Sequence, residues 1–389
     1  MLNPFTPCES YIESLKQYVK ASASRSIDIK PFLHELDKLF SNFSFNLLED
    51  SLKKVQENFS ENKIANVVVE TATSIRDVLE KMIPTDSTLL IHLGFELNEV
   101  NLFELLSERS QKILLTDPHL QLVYDESKEL NTQKKIISEI ENSDKKAEIE
   151  QTHIERIKKE ALNAEIGISS ADVIAADMGS LFIVAKNAIE SIPCTTPRKH
   201  IVIVGIEKIV DDFFKASNFA FMQVRLWGKQ FKGRVHIISN PSRTGDIEKI
   251  VVYGAHGPRE LYVTLIDNGR LALLKRKDFQ NPASYFATKI LHIVKPHLGI
   301  MSSCLGVNTL DPLHMHILVD TITDIDSLKQ IGILSQIAVR ALYKEKTETF
   351  EEAIKLYEGV VEHTVSKGVS KDLISEEAQK LYDKILGEV

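Results

Sequence analysis

IANVVVE (64–70), SIRDVLEKMI (74–83), TLLIH (88–92), ELNEVNLFELLSER (96–109) and KILLT (112–116) decide the fold. The first, third and fifth are short runs rich in Val, Ile and Leu. The two between them are amphipathic at helical spacing. Strand, helix, strand, helix, strand is the pattern of a parallel α/β sheet, because parallel neighbours need a crossover that a helix supplies. Further strands are expected at DVIAAD (172–177), SLFIVA (180–185), HIVIVGI (200–206), RVHIIS (234–239), IEKIVVYG (247–254) and LYVTLID (261–267). HIVIVGI is apolar almost throughout, as a strand covered on both faces requires. A helix is expected over roughly 211–229, opened by Asp211-Asp212, with Phe214, Phe221, Val224 and Trp227 as its buried stripe.

Outside this block the chain reads helical. Residues 1–63 form an N-terminal helical extension, with Ile12, Leu15, Tyr18 and Val19, then Phe32, Leu36 and Leu39, at helical spacing. The polar segment 119–163 interrupts the α/β block as a helical excursion carrying Ile154, Ile157 and Ala161. After an α/β domain over 64–280, residues 281–389 carry two apolar stripes. One is Ile331, Leu334, Ala338 and Leu342; the other is Phe350, Ile354, Tyr357, Val361 and Val365. Thr349 and Glu352 have the spacing of a capping box. This tail is expected to serve packing or a homo-oligomer contact.

Composition narrows the function. The 389 residues carry 47 basic and 55 acidic side chains, a net charge of −8, with no run of like charges. That argues against a dedicated binder of nucleic acid or of an anionic membrane. Hydrophobic residues are 43% of the chain, yet no stretch of about 18 apolar residues occurs. The start MLNPFTPCES lacks the basic and apolar regions of a signal peptide, so a cytoplasmic location is expected. The three cysteines, Cys8, Cys194 and Cys304, are far apart. An iron–sulfur cluster needs four thiolates as a rule, so none is expected, and no local metal cluster either. GxGxxG after a strand, GxxxxGK[ST], HExxH and GxSxG do not occur, which argues against the standard dinucleotide, P-loop, zincin and α/β-hydrolase enzymes.

The unusual residues gather in the loops between 239 and 270. Ser242, Arg243 and Thr244 in SNPSRTGDIE (239–248) offer two hydroxyls and a guanidinium to a carboxylate or phosphate, and Asp246 suits an Asx turn. A plain polar β-turn would use the same residues. GAHGPRE (254–260) holds His256 between Gly254 and Gly257, where it could donate a proton or bond a carbonyl. If 247–253 were one straight strand, its seven residues at ~3.3 Å each would hold the two loops about 20 Å apart. His314 and His316 share one face if DPLHMHI is a strand; with no third ligand evident they are read as structural.

Through these residues the chain resembles the lactate-utilisation (LUD) domain family. The resemblance runs through ALNAEIGISSADVIAADMGSLFIV (161–184), Asn187-Ala188, TPRKH (196–200) with IVIVGIEKIV (201–210), and NPSRTGDIEKIVVYGAHGPRELYVTLIDNGR (240–270). It implies an α/β fold with a Rossmann-like layered sheet of the sugar-phosphate isomerase and CoA-transferase type, here with helical N- and C-terminal extensions. It also implies binding of a small anionic metabolite and a role, with companion subunits, in oxidising lactate to pyruvate. Carried over by motif, Gly179, His200, Glu207, Ser242, Thr244, Asp246 and Gly257 join Arg243 as ligand-binding candidates. His256, Glu248 and Asp177 are the catalytic candidates. The chain departs from the family's pattern at Asp177-Met178, Asn240 and Ile189, and has a lone Cys304 where the iron–sulfur branch carries cysteine motifs. Two other functions fit the same residues: a non-catalytic binding or regulatory protein, and an acyl-, CoA- or phosphate-handling enzyme of the related folds.

Overall fold

The computed structural model describes residues 28–386 except 93, 95, 97–98, 101, 108–111, 118–120, 122–145, 246–250, 296–297, 300, 303–304, 306, 308 and 344–347. They form two compact units. One is built from Leu47–Leu271, the other from the residues up to Asn46 together with those from Ala272 onward. Among the described residues two helices precede the first strand, α1 (Lys30–Phe40) and α2 (Leu48–Glu61). The sequence zones put both in one extension. In the structure α1 packs with the C-terminal helices, whereas α2 packs on strands of the α/β unit.

The α/β unit opens with the alternation that 64–116 requires: β1 (Ala65–Val69), α3 (Ala72–Met82), β2 (Thr88–Ile91), α4 (Leu102–Ser107) and β3 (Lys112–Leu115). Thr71 caps α3, its hydroxyl accepting the Ser74 N–H that the helix leaves unpaired. Then come α5 (Lys146–Glu160), β4 (Ile166–Ser169), β5 (Val173–Ala175), β6 (Ser180–Ala185), β7 (Lys199–Gly205) and β8 (Ile209–Val210). The unit ends with α6 (Phe213–Trp227), β9 (Arg234–Ile238), β10 (Arg243–Gly245), β11 (Val251–Tyr253) and β12 (Glu260–Ile266).

Six strands make one parallel sheet in the order β1-β12-β7-β4-β2-β3. β7 lies inside it and is buried from His200 to Gly205. On one face Ile201, Ile203, Ile168 and Leu89 pack with Ile75 and Leu79 of α3 and with Leu102 and Leu105 of α4. Each such aliphatic side chain contributes about 1.5–3 kcal/mol on burial. On the other face Leu90 and Leu114 meet Ile157 of α5. β8, β5, β6 and β9 form a second sheet in that order, and α6 packs on β5 and β6.

One expectation is corrected here. The buried face of α6 is Ala216, Phe219, Ala220, Met222, Gln223 and Leu226, while Phe214 and Phe221 are 71% and 47% exposed. Aromatic residues lie on more than one side of this helix, and the small Ala216 and Ala220 suit its close approach to the sheet. The helix does start where expected, with Asp212 accepting the Lys215 N–H at 2.7 Å. Of the expected strand 247–254, β11 covers Val251–Tyr253 and pairs antiparallel with β10, Arg243 opposite Tyr253, while 247–250 lie outside the described residues.

The helical unit comprises α1, α7 (Pro282–Lys289), α8 (Pro312–Thr321), α9 (Ile325–Tyr343), α10 (Glu348–Ser366), α11 (Lys371–Leu386) and shorter turns. Its aromatic core stacks Phe40 of α1 on Phe286 of α7 at 4.2 Å, with Phe45 edge-on to Tyr285 at 5.4 Å. The stripes of α9 and α10 are buried except Val365, which is half-buried. The capping-box pair does other work. The Thr349 hydroxyl donates to Asp37 at 2.8 Å, and Glu352 accepts from Asn281 and Ser284. His314 and His316 lie on α8 rather than a strand, because Asp311 caps a helix there and Pro312 suits its first position. Among the described residues no helix is long and apolar enough to cross a membrane.

Candidate functional site

The candidate residues separate to different parts of the α/β unit. At the carboxyl ends of the parallel strands, the chain runs outward from β2 to β3 and returns to β4 on the other side of β2. Open α/β sheets bind ligands at such a reversal. Glu96 and Glu99 follow β2, Ser170 follows β4, Glu207 and Lys208 follow β7, and Asn268 and Arg270 follow β12. Arg270 is fully buried; its Nε donates to Glu207 at 2.7 Å and its Nη1 to Glu99 at 2.9 Å. Burial opposes its charge, but the two carboxylates outweigh that and hold the guanidinium protonated. Asn268 donates to Glu99 at 2.6 Å. Lys208 is bound by Glu96, the Ser170 hydroxyl and the Ala171 carbonyl. Gly205 is required here, since a Cβ would sit 1.8 Å from a Glu207 carboxylate oxygen. Both cations already have carboxylate partners, so an incoming anion would have to displace one. The cluster ties the strand ends together, and Glu207 is part of it. Sequence reading missed Glu96, Glu99, Lys208 and Arg270; the signal for the last two was their place directly after strands.

At the amino ends of β7 and β12, where the Arg259 N–H donates to the Arg198 carbonyl at 2.8 Å, the loops 239–245 and 254–260 meet. The β10–β11 hairpin folds them together, which removes the separation a straight strand would impose. The Ser242 N–H donates to the Pro258 carbonyl and the Gly254 N–H to the Ser242 carbonyl, both at 2.8 Å. The Ser242 hydroxyl accepts the His256 N–H at 3.2 Å. Gly254 has φ +80°, and Arg259 lies across it, 2.1 Å from where a Cβ would stand. Gly257 lies in the turn, with Ser242 as its nearest neighbour. On β11, Tyr253 takes a hydrogen bond from Lys63 at 3.0 Å. That bond, with the charges of Lys63 and Arg243, holds the phenol below its ordinary pKa. Arg243, Thr244, His256 and Arg259 are exposed. Among the described residues no carboxylate pairs with Arg243 or Arg259. Asp246 and Glu248 lie outside the described residues.

The remaining candidates lie elsewhere. Asp177 and Gly179 form the β5–β6 turn, which rests on α2: Asn58 donates to the carbonyls of Ala176 at 2.7 Å and Asp177 at 3.1 Å. Gly179 has φ +60°, and a Cβ there would stand 2.8 Å from Asn58. His200 is buried within β7, its Nε2 2.8 Å from the Ser169 hydroxyl. Burial, with His236 nearby, pushes its pKa down to about 3, so the ring is neutral. Burial also pushes the Cys194 thiol up to about 12, which leaves it unreactive.

Residues 52–266 match the LUD domain, from within α2 to the last residue of β12. The chain belongs to the LUD-domain family. Curated relatives include lactate utilization protein B of Shouchella clausii, 28% identical over 121 residues, 31% of this chain and 24% of that protein. Lactate utilization protein B of Bacillus subtilis is 23% identical over 227 residues, 54% of this chain and 45% of that protein. The uncharacterized electron transport protein YkgF of Escherichia coli is 27% identical over 121 residues, 31% and 24% of the two chains. The LUD-domain chain thus matches less than half the length of each. A DUF162-family protein of Deinococcus radiodurans has a TM-score of 0.35 and 13% identity, over 56% of this chain and 98% of that one. The LUD match includes both meeting loops and ends four residues short of Arg270.

Proposed function

We propose that the chain is a lactate-utilisation component whose LUD domain binds a small 2-hydroxy or 2-oxo acid on the β10–β11 face. The observation that carries this reading is the meeting of the two loops. Their contact sets the His256 backbone on Ser242, next in sequence to the exposed Arg243 and Thr244, and among the described residues no carboxylate pairs with Arg243. A guanidinium with neighbouring hydroxyls suits a carboxylate. The names of the relatives supply the acid, lactate, and pyruvate is its two-electron oxidation product. Oxidation needs an electron acceptor, a role this reading leaves to companion subunits.

Isothermal titration of the whole chain with L-lactate and with pyruvate tests it. A charge-assisted hydrogen bond contributes about 1.5–3 kcal/mol, so Arg243→Ala should weaken binding roughly tenfold to a hundredfold. Because Arg243 is exposed, the melting temperature should not move. If the native chain binds neither acid, or if Arg243→Ala binds as tightly, the reading fails.

A further inference from the structure

Helix α2 ends in a turn that suits glycine and holds a lysine. The Ile64 N–H donates to the Phe59 carbonyl at 2.8 Å, and the Lys63 N–H to the Ser60 carbonyl at 3.1 Å. These are the two bonds of a Schellman motif, and Lys63 takes the left-handed conformation the motif demands, φ +60°. Glycine adopts it freely, whereas a residue with a Cβ is strained in it. Ile64 and Phe59, the apolar pair that commonly accompanies the motif, are both buried. The turn itself has no use for a lysine at this position, so its use lies where the ammonium goes.

The ammonium goes to Tyr253: Lys63 Nζ donates to Tyr253 Oη at 3.0 Å. Tyr253 stands on β11 opposite Arg243 on β10. Directly opposite residues of an antiparallel pair share one face of the ribbon. The Arg243 guanidinium adds a lesser hydrogen bond to the phenol. Ammonium and guanidinium groups only donate, so both contacts fall on lone pairs of the phenol oxygen. The phenol hydrogen points at neither cation, and it meets no acceptor among the described residues. Tyr253 is half-buried, and Lys63 and Arg243 are exposed. The Lys63 bond, with the two charges, also holds the phenol below its ordinary pKa, which sharpens it as a donor.

An oriented hydroxyl donor beside a guanidinium matches a particular kind of ligand. The guanidinium takes a carboxylate. The hydroxyl needs an oxygen on the adjacent carbon. A 2-hydroxy or 2-oxo acid has that oxygen, and an unsubstituted carboxylic acid does not.

We propose that Tyr253, oriented by Lys63, donates its hydroxyl hydrogen to the 2-oxygen of an acid whose carboxylate Arg243 holds, and so makes the site prefer 2-hydroxy and 2-oxo acids to unsubstituted ones. This rests on the β10–β11 face being the acid site. The strained turn at Lys63 is kept because it delivers the ammonium that fixes the phenol.

L-Lactate, pyruvate and propionate share one carbon skeleton and differ only at the second carbon. In isothermal titration of the whole chain, L-lactate and pyruvate should bind about threefold to tenfold more tightly than propionate, the range of one hydrogen bond. Tyr253→Phe removes the hydroxyl and keeps the ring. It should leave the affinity for propionate unchanged and bring the three acids to within about twofold of one another. Lys63→Gly removes the ammonium and relieves the turn. It should reduce the preference while the melting temperature holds or rises. The inference alone is overturned if L-lactate binds through Arg243 but Tyr253→Phe keeps the preference, or weakens propionate as much as L-lactate. A native chain that binds propionate as tightly as L-lactate also overturns it. So does a Lys63→Gly variant that melts lower or keeps the preference, which would make the lysine a clip between α2 and the hairpin. A native chain that binds none of the acids, or an Arg243→Ala variant that binds them as tightly, overturns this inference and the acid-site reading together.

Discussion

Arg270 has no exposed surface, yet it holds its charge because Glu207 and Glu99 approach it from two strand ends. Removing one partner from a buried pair leaves an uncompensated charge and costs about 3–5 kcal/mol. Arg270→Ala should lower the unfolding free energy in urea by roughly that amount. Arg276→Ala, at an exposed ion pair, should change it by less than about 1 kcal/mol. Equal losses in the two variants would remove the strut role of Arg270. The buried histidines act in the opposite sense. His200 and His316 are neutral in the native chain, their pKa values pushed down to about 3 and about 4 from 6.5. As pH falls below 6.5 the unfolded chain takes up protons that the native chain refuses, so stability falls with pH down to those lowered values. The slope should approach on the order of 1 kcal/mol per pH unit for each ring. Urea midpoints at pH 7 and pH 5 read this out, and His200→Gln should flatten the difference. A midpoint that rises on acidification would contradict it.

Helix α6 shows what periodicity carries and where it stops. Its existence and start were legible, through the Asp212 cap and the apolar run, but its phase was not. Phe219 is buried on the second sheet and Phe221 faces outward. Phe219→Ala should cost about 3–5 kcal/mol, and Phe221→Ala within about 0.5 kcal/mol of nothing, in thermal or urea unfolding. Similar losses would mean that α6 buries both. The β–α alternation of 64–116 was legible because period-2 and period-3.6 patterns differ over whole elements. The β10–β11 hairpin was not, because Ile247, Ile250, Val251 and Val252 read as one apolar strand and nothing local marks the pairing of Arg243 with Tyr253. For the candidate site, Ser242, Arg243 and His256 were legible as loop chemistry. The salt-bridge cluster needed the sheet order, since Glu99 and Arg270 are 171 residues apart in sequence. For His314 and His316 the element was left open in the sequence; Asp311 and Pro312, a cap and a first-position proline, are the local signal that makes it a helix.

At the scale of the whole molecule, the described helices before β1 divide between two units. α1 buries Leu33, Leu36 and Phe40 with the C-terminal helices, and Phe40 stacks on Phe286. α2 buries Val55 and Phe59 in the unit that runs to Leu271 and holds the LUD match. A cut near residue 281 therefore leaves α1 without Phe286, which it stacks on. Three large apolar side chains would then face water, forfeiting about 1.5–3 kcal/mol each. A fragment of residues 47–271 keeps both sheets and their covering helices and contains no orphaned α1. It should unfold cooperatively, keep its far-ultraviolet dichroism and bind little of a hydrophobic dye. A fragment of residues 28–281 should bind the dye strongly or aggregate, because its first helix has an apolar face with nothing to cover it. If 28–281 is monodisperse and dye-silent while 47–271 is molten, α1 belongs with the α/β unit and the division near residue 46 is wrong.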